Sequence, residues 1–277
     1  MAFCFVPPLR EGYKLLASMS AFRYPVPPGV TKATAKQQML KQLICSNAPE
    51  EALRYRGFTM IAGLDEVGRG ALFGPVVAAA VILPKAVAGL ANAGLKDSKQ
   101  MAAEDRERLD RRIRRAAIAI SIAAVDAETI DRINIYQASR LAMLEAVRGL
   151  PIAPDHLIID ALRIDHPCAQ TKLFYGDALC LSIAAASVIA KVHRDAMMRE
   201  LDALHPRYGL ASHKGYGTPE HHRALAAHGP TPLHRRSFAP IKAFYPSDPM
   251  TEQLDLEEIL FSSEDLEAPL EQGKAWL

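Results

Sequence analysis

Cysteine is scarce in this chain of 277 residues: Cys4, Cys45, Cys168 and Cys180 are the full complement. They form no C-x-x-C pair and have no companion histidines at zinc spacing, which argues against a zinc ribbon or a disulfide framework and for a reduced, cytoplasmic protein. Long apolar runs are also missing. The longest, Ala178 to Ala190, is interrupted by Ser182 and Ser187 and ended by Lys191, too short to cross a bilayer, so no membrane partner is expected. The segment from Met1 to Pro8 has no basic stretch ahead of its apolar residues and no small-residue cleavage site, so no secretion signal is read. Nor is there an internal repeat. What remains is ordinary: 49% hydrophobic residues, 23% charged residues and a mean hydropathy of zero describe a folded globular protein. The length suits one large domain or two small ones.

The net charge of +2 conceals an uneven distribution. Residues 248–277 hold nine acidic side chains against Lys274 alone, a net of −8, which leaves +10 on residues 1–247. A basic body suits a polyanionic partner, although the same surplus would also serve solubility.

Residues 1 to about 50 are punctuated by Pro7, Pro8, Pro25, Pro27 and Pro28 and read as an appendage with a short helix at Lys36 to Leu43. Apolar runs at Phe58–Leu64, Val76–Leu83 and Ala116–Val125 read as strands, with a charged helix over Glu104–Arg115 before the third. Asn134 reads as the N-cap of a helix reaching Gly149. His156–Ala161 and Thr171–Tyr175 read as two more strands, and Leu179–Leu204, free of glycine and proline, as one long helix. This order predicts an α/β fold with a mixed sheet. After His205 the chain becomes loop-rich around a short helix near Glu220–Ala227, and the acidic tail offers an amphipathic helix at Glu252–Phe261. The division expected is an N-terminal extension, 1–57, a main domain, 58–247, and the tail, 248–277.

Chemistry is concentrated in a few acids. In Ile61-Ala62-Gly63-Leu64-Asp65-Glu66-Val67-Gly68-Arg69-Gly70, two carboxylates end an apolar run and a Gly-Arg-Gly turn follows. Acids seldom occupy a core strand without a reason. Consecutive strand residues face opposite ways, so Asp65 and Glu66 share a site only if the strand bulges or ends there. Asp160 closes another apolar run in the same way, and Asp177 stands just before the long helix, where an N-cap role competes with a functional one. Four carboxylates on successive elements of an α/β sheet offer the oxygen donors that Mg²⁺ or Mn²⁺ prefers, and two such ions can clamp a phosphodiester for in-line displacement.

Gly63-Leu64-Asp65-Glu66-Val67-Gly68-Arg69-Gly70 with Gly74-Pro75-Val76 resembles the opening signature of ribonuclease HII. Asp97-Ser98-Lys99, Ile159-Asp160, Gly176-Asp177, Ala184-Ala185-Ala186-Ser187 with Ala190-Lys191, Arg194-Asp195, Lys214-Gly215-Tyr216-Gly217-Thr218 and His234-Arg235-Arg236-Ser237-Phe238 resemble further family segments in the same order, over roughly Thr59 to Tyr245.

The resemblance implies a ribonuclease H-like fold, with a central mixed five-stranded sheet flanked by helices and a C-terminal helical and loop region. It implies that Asp65, Glu66, Asp160 and Asp177 are the catalytic, metal-binding acids for two Mn²⁺ or Mg²⁺ ions. Gly68, Arg69 and Gly70 would approach the ribose 2′-hydroxyl through the main chain, and Tyr216 would stack on the next deoxyribose. Lys99 and Lys191 are the better phosphate contacts, with Lys214, Arg235 and Arg236 behind them. The implied substrates are RNA·DNA hybrids and DNA duplexes with embedded ribonucleotides, cut by a monomer on the 5′ side of the ribonucleotide to leave 3′-hydroxyl and 5′-phosphate ends. Ribonucleotide excision repair is the implied role. Tyr175 departs from the pattern, standing where the family often has lysine. A non-catalytic nucleic-acid-binding protein that keeps the fold is the principal alternative.

Overall fold

The computed structural model describes residues 31, 34, 43–91, 94–95 and 101–245. The helix expected over Lys36–Leu43 falls outside these residues except for Leu43, and so do Lys99 and the tail helix expected over Glu252–Phe261.

Alternation of small and branched apolar residues builds the sheet. Strand β1 spans Ile61–Val67, β2 Val76–Ile82, β3 Ala119–Val125, β4 His156–Asp160 and β5 Ala169–Leu173. Their order across the sheet is β3-β2-β1-β4-β5. The first three form an antiparallel meander, whereas β4 runs parallel to β1 and β5 parallel to β4. The expectation of a mixed five-stranded sheet holds. Strand β2 is buried along its whole length. Its Ala78 and Ala80 face one core and Val77, Ala79 and Val81 the other, so helices can pack closely on both sides.

Helices cover both faces. A short helix α1, Ala48–Tyr55, precedes β1. A four-residue turn of helix, α2, spans Ala88–Ala91, and α3 spans Ala103–Ala116. Helix α4, Ala127–Arg148, carries the crossover from β3 to β4, and α5 is the long helix Leu181–Leu204. Leu109 and Ile113 of α3 share a core with the alanine-rich first half of α5, and Ala138, Ala142, Met143 and Ala146 of α4 fill the opposite face. Beyond α5 come α6, Leu210–His213, α7, Pro219–His228, and α8, Ala239–Lys242.

Two capping signals differ in outcome. The helix predicted to begin at Asn134 is preceded by a further helical stretch from Ala127, where the Asp126 carboxylate accepts from the Thr129 amide at 2.8 Å. Asn134 breaks it, with φ 60° and ψ 165°, and its own side chain then accepts from the Gln137 amide at 3.0 Å to restart it. The capping signal was real but marked a kink. Asp177, for which capping was a competing reading, does not cap α5, because that helix begins after Cys180.

Helix α5 lies directly on β1. A Cβ at Gly63 would come within 2.2 Å of the Ser182 carbonyl carbon, so only glycine allows this approach of main chain to main chain. Among the described residues no helix is long and apolar enough to cross a membrane.

Candidate active site

The carboxyl ends of the parallel strands gather the acids, the usual place for a site in an open α/β sheet. Strands β1 and β4 pair as far as Leu64↔Ile159, and the next residue on each strand is Asp65 and Asp160. Asp177 lies in a single 3₁₀ turn, Gly176–Ala178, between β5 and α5. The Gly176 amide donates to Asp160 Oδ1 at 2.8 Å, tying that turn to the end of β4. Strand β1 stays in register with β2 through Val67↔Val77, so no bulge occurs at Asp65 and Glu66, while its ladder with β4 ends at Leu64, just before them. The Glu66 amide donates to Asp65 Oδ1 at 2.8 Å, and Arg69 Nη1 reaches Glu66 Oε1 at 3.3 Å.

Burial, followed by repulsion from Asp160, Glu66 and Asp177, holds the Asp65 carboxyl well above the usual carboxylate range, against a lowering hydrogen bond from Ser187. The other three acids expected from sequence therefore all act electrostatically on Asp65. Among the described residues no three histidine, cysteine, aspartate or glutamate side chains already form an ion-holding cage. Like charges resist closer approach, and a hard divalent cation among them removes that resistance. The all-oxygen donor set and the repulsion within it fit Mg²⁺ or Mn²⁺.

The Gly-Arg-Gly turn borders this cluster. Gly68 is buried, whereas Arg69 and Gly70 are exposed, and a Cβ at Gly70 would meet open space. Gly68 has φ 94°, and a Cβ there would lie 2.3 Å from Arg194 Nε. Just after the turn, Ala71 bridges to Tyr216 in antiparallel fashion, and the Leu72 amide donates to the Gly215 carbonyl at 2.8 Å. The structure thus joins the glycine turn to the tyrosine loop that sequence placed about 145 residues away, as long-range strand-like pairing permits.

Two buried guanidiniums support both loops. Arg194 donates to the carbonyl oxygens of Pro75, Lys214 and Phe73 at 3.0, 2.9 and 3.1 Å and lies 5.6 Å from the centre of the Tyr216 ring. Arg235 donates to Gly74 at 3.0 Å and Arg69 at 2.8 Å. Burial and then the Arg194 charge push Arg235 down to about 9, still charged at neutral pH. Arg235 was expected among the phosphate contacts. It is fully buried and directs its donors at main-chain carbonyls, so it does not present a charge to solvent.

The other expected cations differ. Lys191 is mostly buried and pairs with Asp195 at 2.7 Å, Lys214 Nζ donates to the Ala211 carbonyl, and Arg236 is exposed with its guanidinium 4.8 Å from the Tyr245 ring. Lys99 lies outside the described residues. Tyr175 adopts a left-handed conformation, φ 57°, at the entry to the Asp177 turn.

Sequence reasoning did not anticipate a chain of neutral histidines beneath Tyr216. The Thr231 amide donates to His234 Nδ1 at 2.9 Å, which leaves Nε2 to donate to His221 Nε2 at 3.1 Å. His221 Nδ1 then donates to the Tyr216 carbonyl at 3.0 Å. Burial pushes His234 down to about 3 and also lowers His221, so both remain neutral. Nothing in the spacing of these histidines announces the arrangement.

The chain is similar to known proteins over much of its length. Residues 62–241 match the family model described as Ribonuclease HII. The chain is 57% identical over 212 residues to the ribonuclease HII of Koribacter versatilis (strain Ellin345), covering 76% of this chain and 82% of that one. It is 56% identical over 214 residues to that of Solibacter usitatus (strain Ellin6076), covering 76% and 92%. Among solved structures, ribonuclease H2 from Pyrococcus horikoshii OT3 superposes with a TM-score of 0.59 at 23% identity, covering 70% of this chain and 98% of that one. The Archaeoglobus fulgidus RNase HII of a PCNA:RNase HII complex gives 0.55 at 25% identity, covering 64% and 93%. A Bst-RNase HIII in complex with Mn²⁺ gives 0.51 at 22% identity, covering 75% and 79%. The fold is therefore ribonuclease H-like. The chain belongs to the ribonuclease HII family, the metal-dependent endoribonucleases that act on RNA·DNA hybrids.

Proposed function

We propose that this enzyme hydrolyses the RNA strand of RNA·DNA hybrids and nicks duplex DNA on the 5′ side of an embedded ribonucleotide, leaving a 3′-hydroxyl and a 5′-phosphate. The observation that carries this reading is the electrostatic action of Asp160, Glu66 and Asp177 on Asp65, beside a glycine turn that is bridged to Tyr216. A site for any phosphodiester needs only the acids. A site that selects a ribonucleotide also needs something close to the sugar, and the exposed Arg69-Gly70 stretch leaves room for it.

In this reading Asp65, Glu66, Asp160 and Asp177 hold two Mg²⁺ or Mn²⁺ ions. When bound, these supply Lewis-acid activation of the attacking water and neutralise charge at the scissile phosphate. The chain's own groups position the substrate. The main chain of Gly68, Arg69 and Gly70 engages the 2′-hydroxyl, and Tyr216 presents a rigid face to the following deoxyribose. Lys191 and Lys99 meet flanking phosphates, Lys191 by exchanging Asp195 for the ligand. Residues 58–247 form the catalytic body, acting as a monomer in the cytoplasm on ribonucleotides left in DNA.

The test is a DNA duplex with one ribonucleotide, end-labelled, incubated with the protein and Mg²⁺ or Mn²⁺ beside an all-DNA duplex and an Asp65→Asn variant. A single cut 5′ to the ribonucleotide, absent from both controls, supports the reading. Binding without cleavage under either metal would replace it with a non-catalytic binding protein.

A further inference from the structure

The N-terminal segment reads in sequence as an appendage and lies outside the family match at residues 62–241, yet its described residues 46–53 pack against the start of α5, just after the turn that carries Asp177. Leu53 of α1 is fully buried among Ile61, Ile158, Leu173, Cys180 and Ile183. Ser46 pairs with Cys180 in a parallel bridge, its amide donating to the Leu179 carbonyl and its carbonyl accepting from the Leu181 amide, both at 3.1 Å.

Glu50 completes the arrangement. It is 2% exposed, and its Oε1 accepts from the Ser182 amide at 2.8 Å, the Ser182 hydroxyl at 2.7 Å and the Cys180 thiol at 3.3 Å. Helix α5 has no side-chain cap from its own N-cap residue, Cys180. The carboxylate of another helix, 132 residues earlier in the chain, takes that place at the positive end of the helix dipole.

Asp177 therefore sits between two restraints. On one side Asp160 fixes Gly176, one residue before it. On the other, Ser46 and Glu50 fix residues 179–182, two to five residues after it. Cys45 is within electrostatic reach of both Glu50 and Asp177, and burial followed by these two charges pushes its thiol up to about 12.

We propose that Glu50 is a positioning residue for the active site: by capping α5 from outside, it holds the turn that presents Asp177 to the metal-binding cluster. The proposal rests on the reading of Asp177 as a site carboxylate. Glu50 does not touch the substrate and acts through the α5 start.

The test compares wild type, Glu50→Ala and Glu50→Gln by cleavage kinetics on the single-ribonucleotide duplex, by calorimetric titration with Mn²⁺ and by thermal denaturation. Glu50→Ala is expected to lower kcat roughly tenfold, since small misplacements of reacting groups are costly, with KM for the duplex unchanged and weaker Mn²⁺ binding. Glu50→Gln keeps an acceptor oxygen for the Ser182 amide and should recover most of both. If Glu50→Ala does not fold, Ser182→Ala, which removes one of the three donors, should shift kcat and Mn²⁺ affinity in the same direction by less. The proposal is overturned if Glu50→Ala, corrected for its folded fraction, keeps wild-type kcat and Mn²⁺ affinity, or if Glu50→Gln is as impaired as Glu50→Ala. If wild type itself leaves every ribonucleotide-containing duplex intact, the functional reading fails, and the Mn²⁺ titration alone then decides the role of Glu50.

Discussion

The buried guanidinium of Arg235 donates to the carbonyl oxygen of Arg69 at 2.8 Å, across 166 residues of sequence, and so fastens the loop after α7 to the glycine turn. Lysine cannot reproduce the two-point fork that reaches Arg69 and Gly74 together. Arg235→Lys should lose about 2–3 kcal/mol of stability, as expected when buried charged hydrogen bonds are left unmade, and chemical denaturation measures it. Cleavage by the folded fraction should show a raised KM, because the turn proposed to face the ribose is no longer held.

Gly63→Ala should be more damaging than its size suggests. The added methyl would meet the main chain of Ser182 and Ile183, which no side-chain rotation can relieve. A loss of about 3 kcal/mol or more is expected, read by urea denaturation, and a displaced α5 should reduce activity with it. Gly70→Ala, where a Cβ meets open space, should leave stability within about 0.5 kcal/mol and affect only substrate-dependent measurements.

Asp65→Asn should have opposite effects with and without metal. Burial and three neighbouring acids disfavour the charged form of Asp65, so its folded pKa lies above its unfolded one. At neutral pH, without divalent ions, ionising that group costs the folded state stability, and the asparagine variant should melt at a higher temperature than wild type. With saturating Mn²⁺ the order should reverse, since only wild type gains from binding the ion. An unchanged order in both conditions would argue against Asp65 lying in the metal cluster.

The histidine chain sets an acid limit. His234, pushed down to about 3, is protonated far more readily unfolded than folded. Its contribution to stability is complete above its unfolded value of about 6.5 and is lost as pH falls from there toward 3. By pH 5 the loss should approach about 2 kcal/mol, and the pH dependence of urea unfolding should flatten in His234→Asn.

Much of the site was legible in the sequence because a carboxylate at the end of an apolar run is conspicuous: Asp65, Glu66 and Asp160 each end one. Asp177 was legible only through the family pattern, since an acid ahead of a helix has an ordinary explanation. Glu50 drew no reading and Arg235 was read as a phosphate contact, because their burial depends on partners 132 and 166 residues away that no local period reveals. Helix α1 was hidden for a different reason. It is eight residues long, with Leu53 as its one large core side chain, too little to stand out against a proline-rich approach.

The Arg235 tie also orders events in time. All four acids have been synthesised by residue 177, and the sheet and long helix that position them by residue 204, yet the turn beside them is not fastened until residue 235 has emerged and docked. A nascent chain stopped before that point would carry all four acids without the firm glycine turn. A contact that spans so much sequence closes late, so under the proposed function selectivity for ribose would mature after the capacity to hold metal.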